Sequence, residues 1–533
     1  MNLSGFMRTR IPCLILAATF LTGVVHAQEG AEVKAHYLKS EQMITMRDGV
    51  KLFTSIYVPK DTSKKYPIML HRTPYSVAPY GPDLYKDALG PSPLFQNERF
   101  IFVYQDVRGR LMSEGEYVNM RPHNPRKAGA KDIDESTDTY DTIDWLVKNV
   151  ANNNGRVGTW GISYPGFYVS AGIIEAHRAL KAASPQAPIA DWFMGDDFHH
   201  NGALFLPHGF NFFSSFGLPR PKPTTEFPPR FQHGTPDGYR FFLDMGPLPN
   251  ADKKYLKGRV AFWNEAMNHP NYDAFWKARN IRPHLKNIKP AVMTVGGWFD
   301  AENLFGALNT YKSIEQSNPG ANNTLVMGPW FHGGWARSDG DFLGNVTFGS
   351  KTSLYYRDNV ELPFFNCLLK DRCDRKLPEA LVFETGSNQW RMYDQWPPAN
   401  VVKKSLYLHA SGALSFDAPT DGSSGGSSFD EYISDPNKPA PYINGISIGM
   451  TREYMVDDQR FATTRPDVLV YETPALQQNV TIAGPITATL YVSTSGTDSD
   501  YIVKVIDVFP DDTPDPELNP MAVKMGGYQM LVR

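Results

Sequence analysis

At 533 residues, with 53 basic and 56 acidic side chains and a net charge of −3, the chain is too long for one core and nearly neutral. The length predicts two or three domains, and the charge balance argues against nucleic acid or an anionic surface as the main partner. Aromatic residues at 13%, with 42 prolines, exclude a disordered chain and point to packed domains with many ordered loops.

The first 27 residues read as a cleavable secretory signal. Arg8 and Arg10 precede an apolar run over 11–25, and Val25-His26-Ala27 places small residues at −3 and −1 before Gln28. The run is too short to span a bilayer comfortably, and nothing later looks transmembrane. The mature protein is therefore expected to begin near Gln28, periplasmic or secreted, with no membrane span.

Residues 28–190 alternate strand and helix patterns. Segment 52–58 alternates like a strand, while 66–70 and 100–104 read as buried parallel strands. Helical spacing follows over 140–149, then a strand over 157–160, a helix over 166–177 and a strand over 181–184. Such alternation predicts an α/β class with a parallel sheet and helices on both faces. Ser163 lies at the strand-to-helix junction in Gly161-Ile162-Ser163-Tyr164-Pro165-Gly166. A glycine two residues before a serine at such a junction is the pattern of a nucleophile elbow, where the tight turn presents the hydroxyl at a helix N-terminus. The usual form is G-x-S-x-G. Here the second glycine comes one residue late and Pro165 takes its place, which a first helical turn tolerates. Taken alone, a glycine-flanked serine can equally be a plain turn.

Residues 191–288 are dense in aromatics (Phe205, Phe210, Phe212, Phe213 and Phe216 among them) with little strand periodicity. They read as a helical cap over the catalytic face, or simply as a second helical subdomain. Alternation resumes over 289–402, with a strand at 291–295, a helix at 302–317 and a strand at 324–327. Cys13 leaves with the signal, so Cys367 and Cys373 remain, six residues apart, either as a local disulfide or as two unrelated thiols. No cysteine spacing suggests a metal site. Residues 403–533 have an all-β texture, with a Gly/Ser-rich loop at 421–428 between short strands. Ile486, Ala488, Leu490 and Val492 alternate with polar neighbours as a half-buried strand should, and 501–509 reads as another strand. The prediction is a β-sandwich that reads short at its end.

A serine hydroxyl needs a base, usually a histidine oriented by an acid. In the α/β-hydrolase layout the order is serine, acid, histidine, the last two on loops after later strands. Val295-Gly296-Gly297-Trp298-Phe299-Asp300 and Met327-Gly328-Pro329-Trp330-Phe331-His332 fit that order. His71, His199, His200 and His208 are the rival bases. Order and loop position together favour the triad Ser163, Asp300 and His332.

These motifs, with Arg72-Thr73-Pro74-Tyr75, Gln105-Asp106-Val107-Arg108-Gly109 and Gly195-Asp196-Asp197-Phe198, resemble the X-prolyl peptidase and cocaine esterase group of serine hydrolases. Within that group the chain most resembles the α-amino acid ester hydrolases and cephalosporin acylases, from about residue 40 onward. The resemblance implies an α/β-hydrolase fold with an inserted helical cap and a C-terminal jelly roll. Family jelly rolls are longer, so an incomplete one is expected here. It also implies an oxyanion hole made by the Tyr164 backbone N–H and the Tyr75 hydroxyl. Three positions that bind a substrate ammonium in the amino acid ester hydrolases match Asp197, Glu302 and Asn303, so one of three carboxylates is an amide here. The expected activity is cleavage of α-amino acid esters or amides through an acyl-enzyme on Ser163, with no metal or organic cofactor. The expected partner is a small ester or amide, and multimers are common in the group. The alternatives are a general exported esterase or acylase with Asp197 and Glu302 merely structural, or an X-prolyl dipeptidase. A non-catalytic binding scaffold would show decay of the triad, yet all three residues are present.

Overall fold

Ten strands form one mixed sheet, and the order in which they pair decides where the chemistry can sit. The structure is a computed structural model that describes residues 30–419, 429–517, 519 and 522–533. The expected signal (1–27), Cys13 and the Gly/Ser-rich loop (421–428) lie outside the described residues. The strands are β1 (Tyr37–Thr45), β2 (Lys51–Pro59), β3 (Tyr66–Thr73), β4 (Ile101–Asp106), β5 (Asn153–Ile162), β6 (Leu180–Gln186), β7 (Ala291–Gly297), β8 (Asn323–Gly328), β9 (Ala380–Glu384) and β10 (Gln389–Tyr393). Their spatial order is β1-β2-β4-β3-β5-β6-β7-β8-β9-β10. From β4 to β9 all neighbours are parallel, and the antiparallel pairs lie at the two edges.

The central strands are apolar on both faces, as a sheet covered on both sides requires. β4 and β8 are buried at every position. Helix α1 (Glu135–Asn149) begins five residues earlier than the hydrophobic spacing predicts, because Asp134 and Thr137 close a capping box that starts it. Helix α2 (Tyr164–Gly172) begins directly after Ser163 and is buried along its whole length. It ends well short of the expected residue 177, where the chain turns through Glu175 at φ 52°. The expected helix at 302–317 is α4 (Leu304–Ser317).

Residues 191–288 carry short helices. The first, α3 (Leu206–Phe216), packs Phe210, Phe213 and Phe216 into the same apolar cluster as Tyr164 and Trp192, so this segment closes over the end of β5. Cys367 and Cys373 are disulfide-bonded at the end of helix α5 (Leu362–Lys370). Among the described residues no helix is long and apolar enough to cross a membrane.

Beyond residue 403 the structure departs from the alternation in the sequence. Short two-stranded ladders pair Tyr407–His409 with Ala413–Ser415, and Ile506–Val508 with Gln529–Leu531. The expected strand over 486–493 does not form. Ile486 is 51% exposed and Val492 53%. The strand expected over 501–509 is reduced to its last third. Period-2 alternation marks a segment able to lie on a sheet, but a strand exists only where a neighbour completes its ladder.

Candidate active site

The serine turn comes first. Ser163 follows β5 with φ 69° and ψ −127°, a backbone conformation costly for any residue with a β-carbon. Its N–H donates to the Gln186 carbonyl and its carbonyl accepts from Phe167 N–H, both at 3.0 Å. A β-carbon on Gly161 would meet the Pro165 backbone at 2.5 Å, and one on Gly166 would meet the Gln186 carbonyl at 2.6 Å. The glycine that comes one residue late is therefore needed where it stands. The Tyr164 hydroxyl accepts from Met120 N–H at 2.7 Å, which anchors the ring. Its backbone N–H stands at the first position of α2, where helix N–H groups have no intrahelical partner and form the positive end of the dipole.

Tyr75 lies just past β3, with its ring edge-on to Tyr164 at 6.5 Å and to Phe216 at 5.7 Å. Burial, then the charges of Asp197 and Glu302, push ionisation of its hydroxyl far upward, against a hydrogen bond with Ser163. The hydroxyl therefore stays protonated, as a donor beside Ser163.

Asp300 and His332 stand on the loops that follow the neighbouring strands β7 and β8. Trp298 N–H donates to the Gly328 carbonyl at 2.8 Å and Phe299 N–H to the Trp330 carbonyl at 3.1 Å, tying the loops after β7 and β8 together. Asp300 is fully buried. Its Oδ1 accepts from the backbone N–H groups of Glu302 (2.8 Å) and Asn303 (2.9 Å), and its Oδ2 lies 2.9 Å from His332 Nδ1. Burial works against the Asp300 charge, but the His332 imidazolium and these donors hold its pKa below the usual carboxylate value. With Nδ1 engaged, Nε2 is the ring nitrogen left for a reacting proton. Burial would lower the His332 pKa, yet Asp300, Glu302 and Asp197 together raise it to about 10. Ser163 Oγ makes no hydrogen bond to His332, a contact that in unliganded hydrolases often tightens only with substrate.

Asp197, Glu302 and Asn303 are brought together. Asp197 N–H donates to the Glu302 carbonyl at 2.9 Å. Asp197 Oδ2 accepts from Trp192 Nε1 at 3.0 Å and from Asn303 Nδ2 at 2.9 Å. Burial and the neighbouring Glu302 charge raise the Asp197 pKa. Glu302 Oε2 lies 3.7 Å from His332 Nε2 and 3.7 Å from His208 Nε2. Asn303 Nδ2 also reaches Asp196 Oδ1 at 3.4 Å, while its own Oδ1 is buried without a partner. Asp197, His208 and Glu302 each offer a ligand atom within 4.8 Å of the others, the set among the described residues that could hold a metal ion.

The other histidines are placed elsewhere. His71 contacts the Trp160 carbonyl at 3.2 Å, His199 contacts the Trp192 carbonyl at 3.1 Å, and His200 packs on Phe205. Sequence reasoning passed over Asp196, whose buried carboxylate accepts from Ala190, Asp191 and Gly306 N–H and so braces the loop that carries Asp197. The only signal was its place in Gly195-Asp196-Asp197. Gln186 was missed as well, because the strand pattern stopped at residue 184.

Known proteins resemble the chain along most of its length. The family described as X-Pro dipeptidyl-peptidase (S15 family) matches residues 48–334, and the X-Pro dipeptidyl-peptidase C-terminal non-catalytic domain matches 374–532. The chain is 27% identical to the cocaine esterase of Rhodococcus sp. (strain MB1 Bresler), over 89% of this chain and 80% of that protein. Among solved structures, an α-amino acid ester hydrolase superposes with a TM-score of 0.81 at 34% identity, covering 97% of this chain and 84% of that one. An aminopeptidase from a marine sediment archaeon (Thaumarchaeota archaeon) superposes with a TM-score of 0.80 at 35% identity, covering 93% and 81%. An α/β-hydrolase sheet, two matching family regions and relatives of this extent lead to one assignment: the chain is a serine hydrolase and belongs to the X-Pro dipeptidyl-peptidase (S15) family.

Proposed function

We propose that the protein is an exported serine hydrolase that cleaves, and to suitable amines transfers, the acyl group of α-amino acid esters or amides, β-lactam-type substrates included. The observation that carries this reading is the pair of carboxylates, Asp197 and Glu302, set beside the His332–Asp300 pair, with Glu302 Oε2 3.7 Å from His332 Nε2. A substrate ammonium held there sets its carbonyl carbon, two bonds from the nitrogen, at the reacting region. Ser163 Oγ attacks that carbonyl carbon as its proton passes to His332 Nε2. The oxyanion accepts from Tyr164 N–H and the Tyr75 hydroxyl, donors fixed before charge develops. The imidazolium then protonates the leaving alkoxide or amine, the C–O or C–N bond breaks, and an acyl-Ser163 ester remains. Water then attacks the acyl carbon as its proton passes to His332 Nε2, the bond to Ser163 Oγ breaks, and His332 returns the proton to Oγ as the acid leaves; an amine in place of water takes the acyl group by the same steps.

Asn303 supports a second reading. An amide stands where a third carboxylate would grip the ammonium, and its Nδ2 already occupies one lone pair of Asp197 Oδ2. A pocket of that charge also suits a general esterase for neutral acyl groups. Comparing kcat/KM for phenylglycine methyl ester and phenylacetic acid methyl ester, in wild type and Glu302→Gln, separates the two. A strong preference for the amine that collapses in the variant supports the amino acid reading, and equal rates on both esters leave the general esterase.

A further inference from the structure

Gln186 ends β6 at the middle of the sheet. It pairs with Ile162, the residue before the nucleophile, and with Val295, on the strand that leads to Asp300. Its carbonyl accepts the Ser163 N–H at 3.0 Å. Its side-chain Oε1 accepts the indole N–H of Trp335, three residues past His332, at 2.7 Å. Its Nε2 donates to Glu361 Oε1 at 2.7 Å, with Ser184 Oγ at 3.2 Å and Tyr356 Oη at 3.3 Å. All these side chains are buried. One residue therefore touches the nucleophile turn, the strand that leads to the acid and the histidine loop.

The amide can sit only one way round. An indole nitrogen only donates, so the group facing Trp335 must be the oxygen, and the nitrogen must face the Glu361 carboxyl. The strained Ser163 backbone persists only if its surroundings over-determine it, and the Gln186 carbonyl supplies one of its two fixed hydrogen bonds. An apolar side chain of equal length would fill the space, yet strand the Trp335 N–H and the Glu361 carboxyl in a dry interior.

We propose that Gln186 is a positioning residue that locks the Ser163 turn to the His332 loop, with Glu361 holding its amide in the working orientation. The proposal rests on reading Ser163, Asp300 and His332 as the triad. It touches no substrate itself.

The test uses Gln186→Met, Trp335→Phe, their double variant, Glu361→Leu and Glu361→Gln, with Ser163→Ala alongside. Turnover of phenylglycine methyl ester is divided by the number of sites labelled to completion with a fluorophosphonate, and Tm is measured in parallel. Each single loss of the joint is expected to lower kcat about tenfold or more with KM within about twofold, since displacements on the order of 1 Å cost up to about 100-fold. The double variant should be no slower than the worse single, because both remove the same link. Glu361→Gln, which keeps an acceptor for Nε2, should recover most of the turnover lost in Glu361→Leu. A lower Tm at wild-type kcat per labelled site, or additive losses in the double variant, overturns the proposal. If Gln186→Met does not fold, Trp335→Phe and the Glu361 pair decide it. Turnover that survives Ser163→Ala sinks the triad reading instead, whereas a dead Ser163→Ala beside a full-speed Trp335→Phe sinks only the role of Gln186.

Discussion

At the scale of single residues, the pocket sets three negative charges around one base. Burial opposes the His332 imidazolium, but Asp300, Glu302 and Asp197 outweigh it and raise its pKa to about 10. A base acts only when neutral, so the free enzyme should be slow on a neutral ester until the pH is high. On the proposed reading, a substrate ammonium between Asp197 and Glu302 would offset the charges that hold the proton. The acid limb of kcat/KM for phenylacetic acid methyl ester reports the free-enzyme base, and it should lie well above the ordinary imidazole value of 6.5. Glu302→Gln removes a charge 3.7 Å from Nε2, so the limb should move to lower pH by about one unit or more. A limb that stays in place in Glu302→Gln would show that Glu302 does not govern the proton on His332.

At the scale of elements, stability gathers where one side chain satisfies several ends at once. Asp134 starts α1: its Oδ1 accepts from Ser136 N–H and Thr137 N–H, both at 3.0 Å, and its Oδ2 accepts from Asn124 N–H and lies 2.9 Å from Lys127 Nζ and from His123 Nδ1. Burial works against its charge, yet these partners hold its pKa below the ordinary aspartate value of 3.8. A cap alone is worth about 1 kcal/mol, and the buried partners raise the expected cost of Asp134→Ala to about 2–3 kcal/mol. Because the folded pKa is depressed, that contribution is complete above the unfolded value and is lost as the pH falls through the folded one. The Tm gap between wild type and Asp134→Ala should be full at pH 7 and narrow below pH 3.8. A gap indifferent to pH would mean that shape, not charge, matters there. The same helix shows what the sequence could and could not disclose. Apolar spacing marked α1 and the central strands, because burial imposes a period on them. The first turn of α1 was invisible to that signal, since Glu135, Ser136, Thr137 and Asp138 are buried polar residues held by hydrogen bonds. The strand-end positions of Ser163, Asp300 and His332 were legible because each follows a readable strand. Asp196, Gln186 and Glu361 were not, because a buried polar residue declares its role only through partners distant in sequence.

At the scale of the whole molecule, the C-terminal part meets the loop that carries Asp300 in an apolar cluster. Met455, Val456, Tyr528, Met530 and Leu531 join Phe299 and Ala301, which flank Asp300, together with Phe348 and Phe383. The Tyr528 hydroxyl donates to the Val456 carbonyl at 2.8 Å, and Leu531 pairs with Ile506 in the last ladder. By contrast, Ile486 and Leu490 carry the clearest strand pattern of the region and stand half exposed, with no ladder. Pattern alone would rank these two segments alike, whereas packing ranks them oppositely. Leu531→Ala opens a space in the cluster that holds Phe299 and should cost about 2–5 kcal/mol. The acid loop loosens with it, so kcat should fall severalfold while KM holds. Ile486→Ala, in the same part of the chain, should change stability by no more than about 0.5 kcal/mol and leave turnover alone. Measuring Tm and kcat for both variants tests whether the C-terminal part braces Asp300 through this cluster. Equal effects from the two substitutions, or a Leu531→Ala enzyme that loses stability yet turns over at full speed, would confine that part to stability alone.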